Sequence, residues 1–451
     1  MAVLLVVLAA TTGWFGYVAM ATPSPTISRI ITPGNIGPCT WFVSLDGTTP
    51  VARAMVSGLS VGVGDNVVGT VGQDTGTFLT SIVGANQVYC FSAQTFNFQS
   101  TFTMKVGDAL EGMGSNDAFI EVLDQPTTNF KWTGASSVGV QTDTTGNWFG
   151  RIENINFDCN YQVTTCVKIV SSQGGIFRSI NVVHANSVGF LLTTSVSLSN
   201  SDMNLFDKVA VHDTTLTALE LNGVDASHVV TLNAFIDCRF FSNNGGTSLK
   251  LTQNADTNKF VATYIEAPTP AAGVAGRGIV FNAASNATDN NVYENIFDSG
   301  ALDSTGASAV GILSGPNTHT GQPNIFFGVT FGGTWGTQLA LNGQPYIYLT
   351  FNPIFNPLGL TGTPFASTLQ PTMGPGGSTA APVASTNYVV NGDNFYVTST
   401  GGTGVSISIK DASSNVEASG LATLTREYVP FGYIINFGAF SVAPTVTIYG
   451  Q

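Results

Sequence analysis

Four acids, Asp237, Glu266, Glu294 and Asp298, stand at matched places in a motif that the chain repeats. Two carboxylates are what acid and base catalysis on a glycosidic bond requires: one protonates the leaving oxygen, and the other attacks the sugar or activates water. The acids fall in outward columns of a strand pattern. One column reads Asn154, Ser179, Lys208, Asp237, Ala262 and Glu294; another reads Asp158, Val183, His212, Phe241, Glu266 and Asp298. If successive members lie one strand spacing apart, Glu266 and Asp298 are separated by about 5 Å, as in retaining glycosidases. Asp237 and Glu294, two coils apart, would be separated by about 9.6 Å, nearer the inverting arrangement. Phe241, Tyr264 and Tyr293 are aromatic residues suited to stacking on sugar rings. Outward acids also belong to any solvated acidic sheet, and Lys208 beside Asp237 reads equally as a surface ion pair worth under about 1 kcal/mol.

The elements that would position these residues are short strands. In "LNAFIDCRFFSNN" the alternation points Cys238 and Phe240 inward and Asp237 and Arg239 outward. The segments "GRIENINFD", "IFRSINVVH", "LFDKVAVHD", "AFIDCRFFS", "KFVATYIEA", "NVYENIFDS" and "IFFGVTFGG" repeat that strand. Their inward anchors are Ile155, Ile180, Val209, Cys238, Thr263, Asn295 and Val329. A second inward column, Phe157, Val182, Val211, Phe240, Ile265, Phe297 and Phe331, follows two residues later. A repeat of this length in a chain rich in Val, Phe, Thr and Asn, without a sustained helical period, predicts a parallel β-helix whose coils stack at the interstrand spacing. Asn204, Asn233, Asn258, Asn290 and Asn324 precede the strands and are expected to form a structural ladder at a bend, because asparagine tolerates left-handed backbone and its amide hydrogen-bonds from coil to coil.

Residues 88–114, "VYCFSAQTFNFQSTFTMKVGDALEGMG", resemble the opening coil of the pectate-lyase-like right-handed parallel β-helix superfamily. There a strand and turn lead to "STLTI", a valine-glycine turn and "LxGxG"; here these are Ser100 to Met104, Val106, Gly107, Leu110, Gly112 and Gly114. "FVSLDGTTPVARAMVSG", Phe42 to Gly58, resembles the lead-in of exported archaeal and phage-tail members. The likeness runs from Phe42 to Leu360. It implies an all-β, single-stranded right-handed β-helix and, from the family's habit, a homotrimer. It leaves activity open, because the superfold carries lyases, hydrolases, adhesins and tailspikes. The "NTD", "DD", "GHG" and "RIK" motifs of its polygalacturonase-like enzymes do not occur, and Arg239 beside Asp237 is only a faint match to a lyase base. The expectation therefore leans away from an enzyme, toward a surface structural or adhesion protein that contacts glycans or neighbouring subunits. A polysaccharide lyase or glycoside hydrolase is the alternative, and a pilin-like filament subunit a third.

Composition narrows the partners. With 14 Lys and Arg against 27 Asp and Glu, the formal net charge is -13, and no basic footprint exists for nucleic acid. Residues 1–28 carry no charge, and "MAVLLVVLAATTGWFGYVAMA" matches the ~20 residues that cross a bilayer. A cleaved signal and a retained helix, in a membrane or a filament core, fit it equally, and either places the chain outside the cell. Five cysteines suit an oxidising compartment. Cys159 with Cys166 and Cys39 with Cys90 are the candidate bridges, leaving Cys238 as a buried thiol. Asn286, in "NAT", is the N-glycosylation candidate.

No metal or cofactor motif is present. Oxygens in Asn222 to His228 and Asn286 to Asn291 offer Ca²⁺ a place, at low carboxylate density. The expected organisation is a hydrophobic helix over 1–28, a lead-in and cap over 29–87, the β-helix over 88–360, a Pro/Gly/Ser/Thr linker over 361–386 and a small β-sandwich over 387–451.

Overall fold

In-register stacking of the repeated strands decides which side chains can meet. The computed structural model describes residues 39–113, 127–243, 245–271, 274–281 and 292–304, most of 306–341, and strands between 347 and 450. Residues 1–28, Asn286, Asn290 and most of the 361–386 linker lie outside the described residues. Among the described residues no helix is long and apolar enough to cross a membrane.

The chain winds as a parallel β-helix. One wide sheet takes Arg151–Asp158, Ile176–Val183 and Leu205–Thr214, then strand pairs from each following coil: Ala234–Ile236 with Arg239–Ser242, Lys259–Val261 with Tyr264–Ala267, and Ile296–Asp298 with Ala301–Ser304. Opposite it lies a nine-stranded parallel sheet running from Phe102–Met104 to Thr337–Leu341. Ser201–Asp202, Val230–Thr231 and Ala255–Asp256 form a third, narrow sheet. At the N-terminal end, antiparallel strands Trp41–Asp46 and Thr49–Ala54 and the helix Thr75–Ile82 supply Trp41, Phe78 and Leu79 to the core. The Asp74 carboxylate accepts from the backbone of Gly76 and Thr77 and caps that helix. Beyond residue 386 the described strands form two small, largely antiparallel sheets.

Two ladders hold the coils in register. Phe177, Phe206, Phe235, Phe260, Phe297 and Phe326 stack with ring centroids 4.5, 4.4, 4.6, 4.6 and 4.5 Å apart. Deleting one such buried ring costs about 3–5 kcal/mol. Asn204, Asn233, Asn258, Asn295 and Asn324 form the second ladder. Each of the first four donates its Nδ2 to the next Oδ1 at 2.8 to 3.0 Å and to a carbonyl of the neighbouring coil, and each receiving Oδ1 also accepts the backbone N–H of the asparagine before it. These amides are buried and paired, as burial demands. Asn295 therefore occupies the rung that the sequence reading gave to Asn290.

Left-handed backbone recurs in two columns. Asn154, Ser179, Lys208, Asp237, Ala262 and Ser299 have φ between 49 and 59° and bend each coil in the wide sheet. Met203, Leu232, Thr257 and Glu294, with φ of 52 to 55°, stand immediately before ladder asparagines. The first column is the one read from sequence as outward, with Ser299 rather than Glu294 as its last member. The shift follows from spacing: 37 residues separate Phe260 from Phe297, against 25 between Phe235 and Phe260, and Phe297 stacks on Phe260 instead of meeting Ile265.

Two disulfides join Cys39 to Cys90 and Cys159 to Cys166, and the Cys238 thiol is buried. Burial pushes that thiol up to about 12, which keeps it protonated and unreactive.

Candidate functional site

The corrected register decides which acids meet. Glu266 faces Asp303 across adjacent parallel strands, in line with Phe241 on the strand before, and Tyr264 faces Arg239 and Ala301. Asp298 is opposite Val261 and takes a hydrogen bond from the Ser299 hydroxyl at 2.7 Å. Asp237 is exposed at a left-handed bend, its backbone N–H donating to the Val261 carbonyl. Glu294 lies at the other bend, where the Thr257 hydroxyl reaches its Oε2 at 3.4 Å. Tyr293 is raised in pKa first by burial and then by Asp256 and Glu294, away from the Glu266 strand. Of the four acids read from sequence, Glu266 alone belongs to a carboxylate pair in register, and its partner is Asp303.

The pair is built asymmetrically. The Tyr264 hydroxyl donates to Asp303 Oδ2 at 3.2 Å, and the Ser304 backbone N–H donates to Asp303 Oδ1 at 2.7 Å. Glu266 is half-buried, and burial first and the Asp303 charge second raise its pKa, opposed by the Tyr264 hydroxyl, whose single proton the two carboxyls share. Tyr264 itself is raised by burial, then by Glu266 and Asp303, so it serves as a hydrogen-bond donor and not as a base. A carboxyl raised in this way beside a second acid is suited to act as a general acid.

Backbone fixes these side chains. Ser248 from the opposite sheet donates to the Glu266 carbonyl, and Ile265 and Leu302, next to the two acids, are buried in the core. On the open side of Asp303 the next coil presents Gly332 and Gly333. Gly333 has φ of 75°, and a Cβ there would meet the Ser304 carbonyl at 2.0 Å and Asp303 Oδ1 at 2.5 Å, so a glycine keeps that approach clear.

On the N-terminal side, Phe241 stacks on His212 at 4.8 Å and 23°. His212 Nδ1 bonds Asp213 at 2.8 Å, and His184 Nδ1 bonds Asp158 at 2.9 Å. The pairing with His212 holds Asp213 below the ordinary carboxylate range. Tyr161 packs on His184 at 5.1 Å, and its hydroxyl accepts from Asn243 Nδ2 at 3.2 Å. Asn160 and Tyr161 both have left-handed backbone, at φ of 48 and 55°, beside the Cys159–Cys166 bridge. Such residues cost about 1–2 kcal/mol each, offset here by the disulfide and the Asn160 Nδ2 bond to the Trp132 carbonyl. Among the described residues no group of three or more His, Cys, Asp or Glu gathers as a metal site.

Asp303 was missed in the sequence because Phe297 was aligned with Phe240. The signal that places it is Asn-x-Phe, recurring as Asn204-Leu-Phe206, Asn233-Ala-Phe235, Asn258-Lys-Phe260, Asn295-Ile-Phe297 and Asn324-Ile-Phe326. Setting every repeat on that tripeptide puts Asp303 opposite Glu266.

No family model and no curated protein matches the chain. Solved structures do match, at low identity and low TM-score. The tailspike protein gp49 of Acinetobacter baumannii bacteriophage Fri1, a capsular polysaccharide depolymerase, is 11% identical with a TM-score of 0.36 over 83% of this chain and 82% of its own. Pectate lyase Pel9A is 12% identical with a TM-score of 0.32 over 69% and 80%. The Streptococcus pneumoniae surface adhesin PfbA is 10% identical with a TM-score of 0.30 over 62% and 89%. The expectation that leaned away from an enzyme is corrected: a capsular polysaccharide depolymerase and a pectate lyase are among the structures that match.

Proposed function

We propose that the chain is an extracellular glycan-binding β-helix that hydrolyses polysaccharide at Glu266 and Asp303 with retention of anomeric configuration. The observation that carries this reading is the Tyr264-bridged pair of in-register carboxylates, with Glu266 raised in pKa beside Asp303. In-register neighbours on adjacent strands are about 4.8 Å apart, in the range of the ~5–5.5 Å of retaining enzymes. Asp303 attacks the anomeric carbon and forms a glycosyl ester as the glycosidic C–O bond breaks, and Glu266 gives its proton to the leaving oxygen. Water then attacks the anomeric carbon from the opposite face, Glu266 takes its proton, and the bond from that carbon to Asp303 breaks to release the carboxylate.

The same reading puts the protein on a cell or virion surface, fixed through residues 1–28 to an envelope or filament. It assembles as a trimer, with a β-sandwich over 387–451 that caps the coil or engages a partner. The uncharged N-terminus, the two disulfides and the small antiparallel sheets support this.

The test is a screen of the full chain on polysaccharides, following new reducing ends and the ultraviolet absorbance of unsaturated products. Reducing ends without absorbance, lost in both Glu266→Gln and Asp303→Asn, are expected. Unsaturated products, or cleavage that survives both substitutions, would overturn the mechanism.

A further inference from the structure

Beyond the acid pair, the outward stripe continues toward the N-terminus through Phe241 and His212 to Asp158, with His184 and Tyr161 at its margin. Two features of this stripe bear on what it holds. The first is aromatic: the Phe241–His212 stack lies one strand from Glu266, and the Tyr161–His184 pair lies further along the same edge. Tyr161 keeps 44% of its surface exposed although its backbone is left-handed, so its ring is held out by the disulfide and the Asn243 bond and not withdrawn into the core.

The second feature is charge. Asp158, Asp213, Glu266 and Asp303 stand along this stripe, with Lys131 opposite Asp158 as the cation at its N-terminal end. The nearest arginines up the same sheet are engaged by carboxylates: Arg151 by Glu111 and Glu153, Arg178 by Glu153 and Asp207. Arg239 faces the Tyr264 phenol and opposes its rise in pKa. A uronate or other anionic sugar laid here would bring its charges against these acids, with the whole chain at a net charge of -13 behind them. Uncharged sugar rings have no such repulsion and present apolar faces to aromatic rings.

Building on the hydrolase reading, we infer that the stripe takes an uncharged polysaccharide laid across the coils, with one sugar on the Phe241–His212 platform beside the acid pair and the chain continuing over Tyr161 and His184. Phe241 is then a specificity-determining residue, and Tyr161 an extended binding position.

Calorimetric titration tests this in the full-length Glu266→Gln protein, with neutral and uronate-containing oligosaccharides of equal length. Tighter binding of a neutral oligosaccharide is expected. Phe241→Ala added to that protein should weaken it about tenfold or more, Phe241→Tyr should restore it, and Tyr161→Ala should weaken long oligosaccharides alone, each with an unchanged melting temperature. Tighter binding of uronates, binding of neither class, or indifference to Phe241→Ala would overturn the inference. Cleavage surviving Glu266→Gln would sink the catalytic reading instead, and the binding comparison would still decide the platform.

Discussion

The wide sheet twice sets two carboxylates in register on neighbouring strands, and resolves the conflict differently each time. Glu111 lies opposite Glu153, and Arg151 spans them, with Nη2 2.7 Å from Glu111 and Nε 3.5 Å from Glu153. Arg178 extends the row at 3.2 Å from Glu153 and 3.0 Å from Asp207. Glu266 lies opposite Asp303, and the group spanning them is the Tyr264 phenol, which donates a hydrogen bond but carries no charge. Like charges directly opposite are destabilising in a sheet. A cation removes that conflict, whereas a hydroxyl has one proton to share between the two acids and leaves their repulsion in place. The first arrangement stabilises the coil, and the second raises the Glu266 pKa beside a second acid.

The largest effect that would break this comparison is loss of cleavage. Asp303→Asn or Glu266→Gln should reduce hydrolysis by about a thousandfold or more, the scale of a lost acid or nucleophile, with circular dichroism unchanged. A next, smaller effect concerns the other pair. Arg151→Leu leaves Glu111 and Glu153 opposed without their shared guanidinium, and should lower stability near neutral pH by about 2 kcal/mol in urea melts. That deficit should shrink in acid as the glutamates protonate. An equal deficit at low and neutral pH would mean that Arg151 acts through packing alone.

Tyr264→Phe follows, with an expected loss of about tenfold in kcat, the scale of one hydrogen bond to a charged group. Its pH profile is the sharper readout. Hydrolysis needs Glu266 protonated, so the rate falls as pH rises through its raised pKa. Tyr264 opposes that rise, so Tyr264→Phe should move the alkaline limb to higher pH, and Asp303→Asn, which removes the neighbouring charge, should lower the Glu266 pKa. The linkage to stability has the same sign: a carboxyl raised on folding contributes fully below its unfolded pKa, and that contribution is lost as pH rises through the folded value. Asp143, lowered by its hydrogen bond to Lys105, runs the other way and contributes above the ordinary carboxylate pKa. A Tyr264→Phe profile superimposed on the parent would remove the phenol from the mechanism.

The coils were legible in the sequence because stacking repeats a physical demand. Every rung needs an inward apolar residue and a polar group at the bend, which is why "GRIENINFD" and "IFRSINVVH" pair as read, Ile155 on Ile180 and Phe157 on Val182. The left-handed bend was harder, since Lys208, Asp237 and Ala262 share a backbone conformation without sharing chemistry. The acid pair was half legible. Glu266 stands on a regular coil, but Asp303 lies 37 residues beyond it, so spacing failed there and the asparagine and phenylalanine ladders preserve the register. The hydrogen bond from Tyr264 to Asp303 joins residues 39 positions apart, which no local pattern contains.

The smallest predicted effect tests whether alternation of charge in the first row is needed for stability. Arg178→Ala removes contacts to Glu153 and Asp207, but the arginine side chain is 46% exposed, so water and salt already screen both pairs. The expected cost in urea is under about 1 kcal/mol, falling further in 0.5 M salt, because Arg151 still holds Glu153 from the other side. A cost as large as that of Arg151→Leu would mean that the row acts as one cooperative network. The contrast with Glu266 and Asp303 would then lie in the length of a charge chain, and not in whether a cation or a phenol spans the two acids.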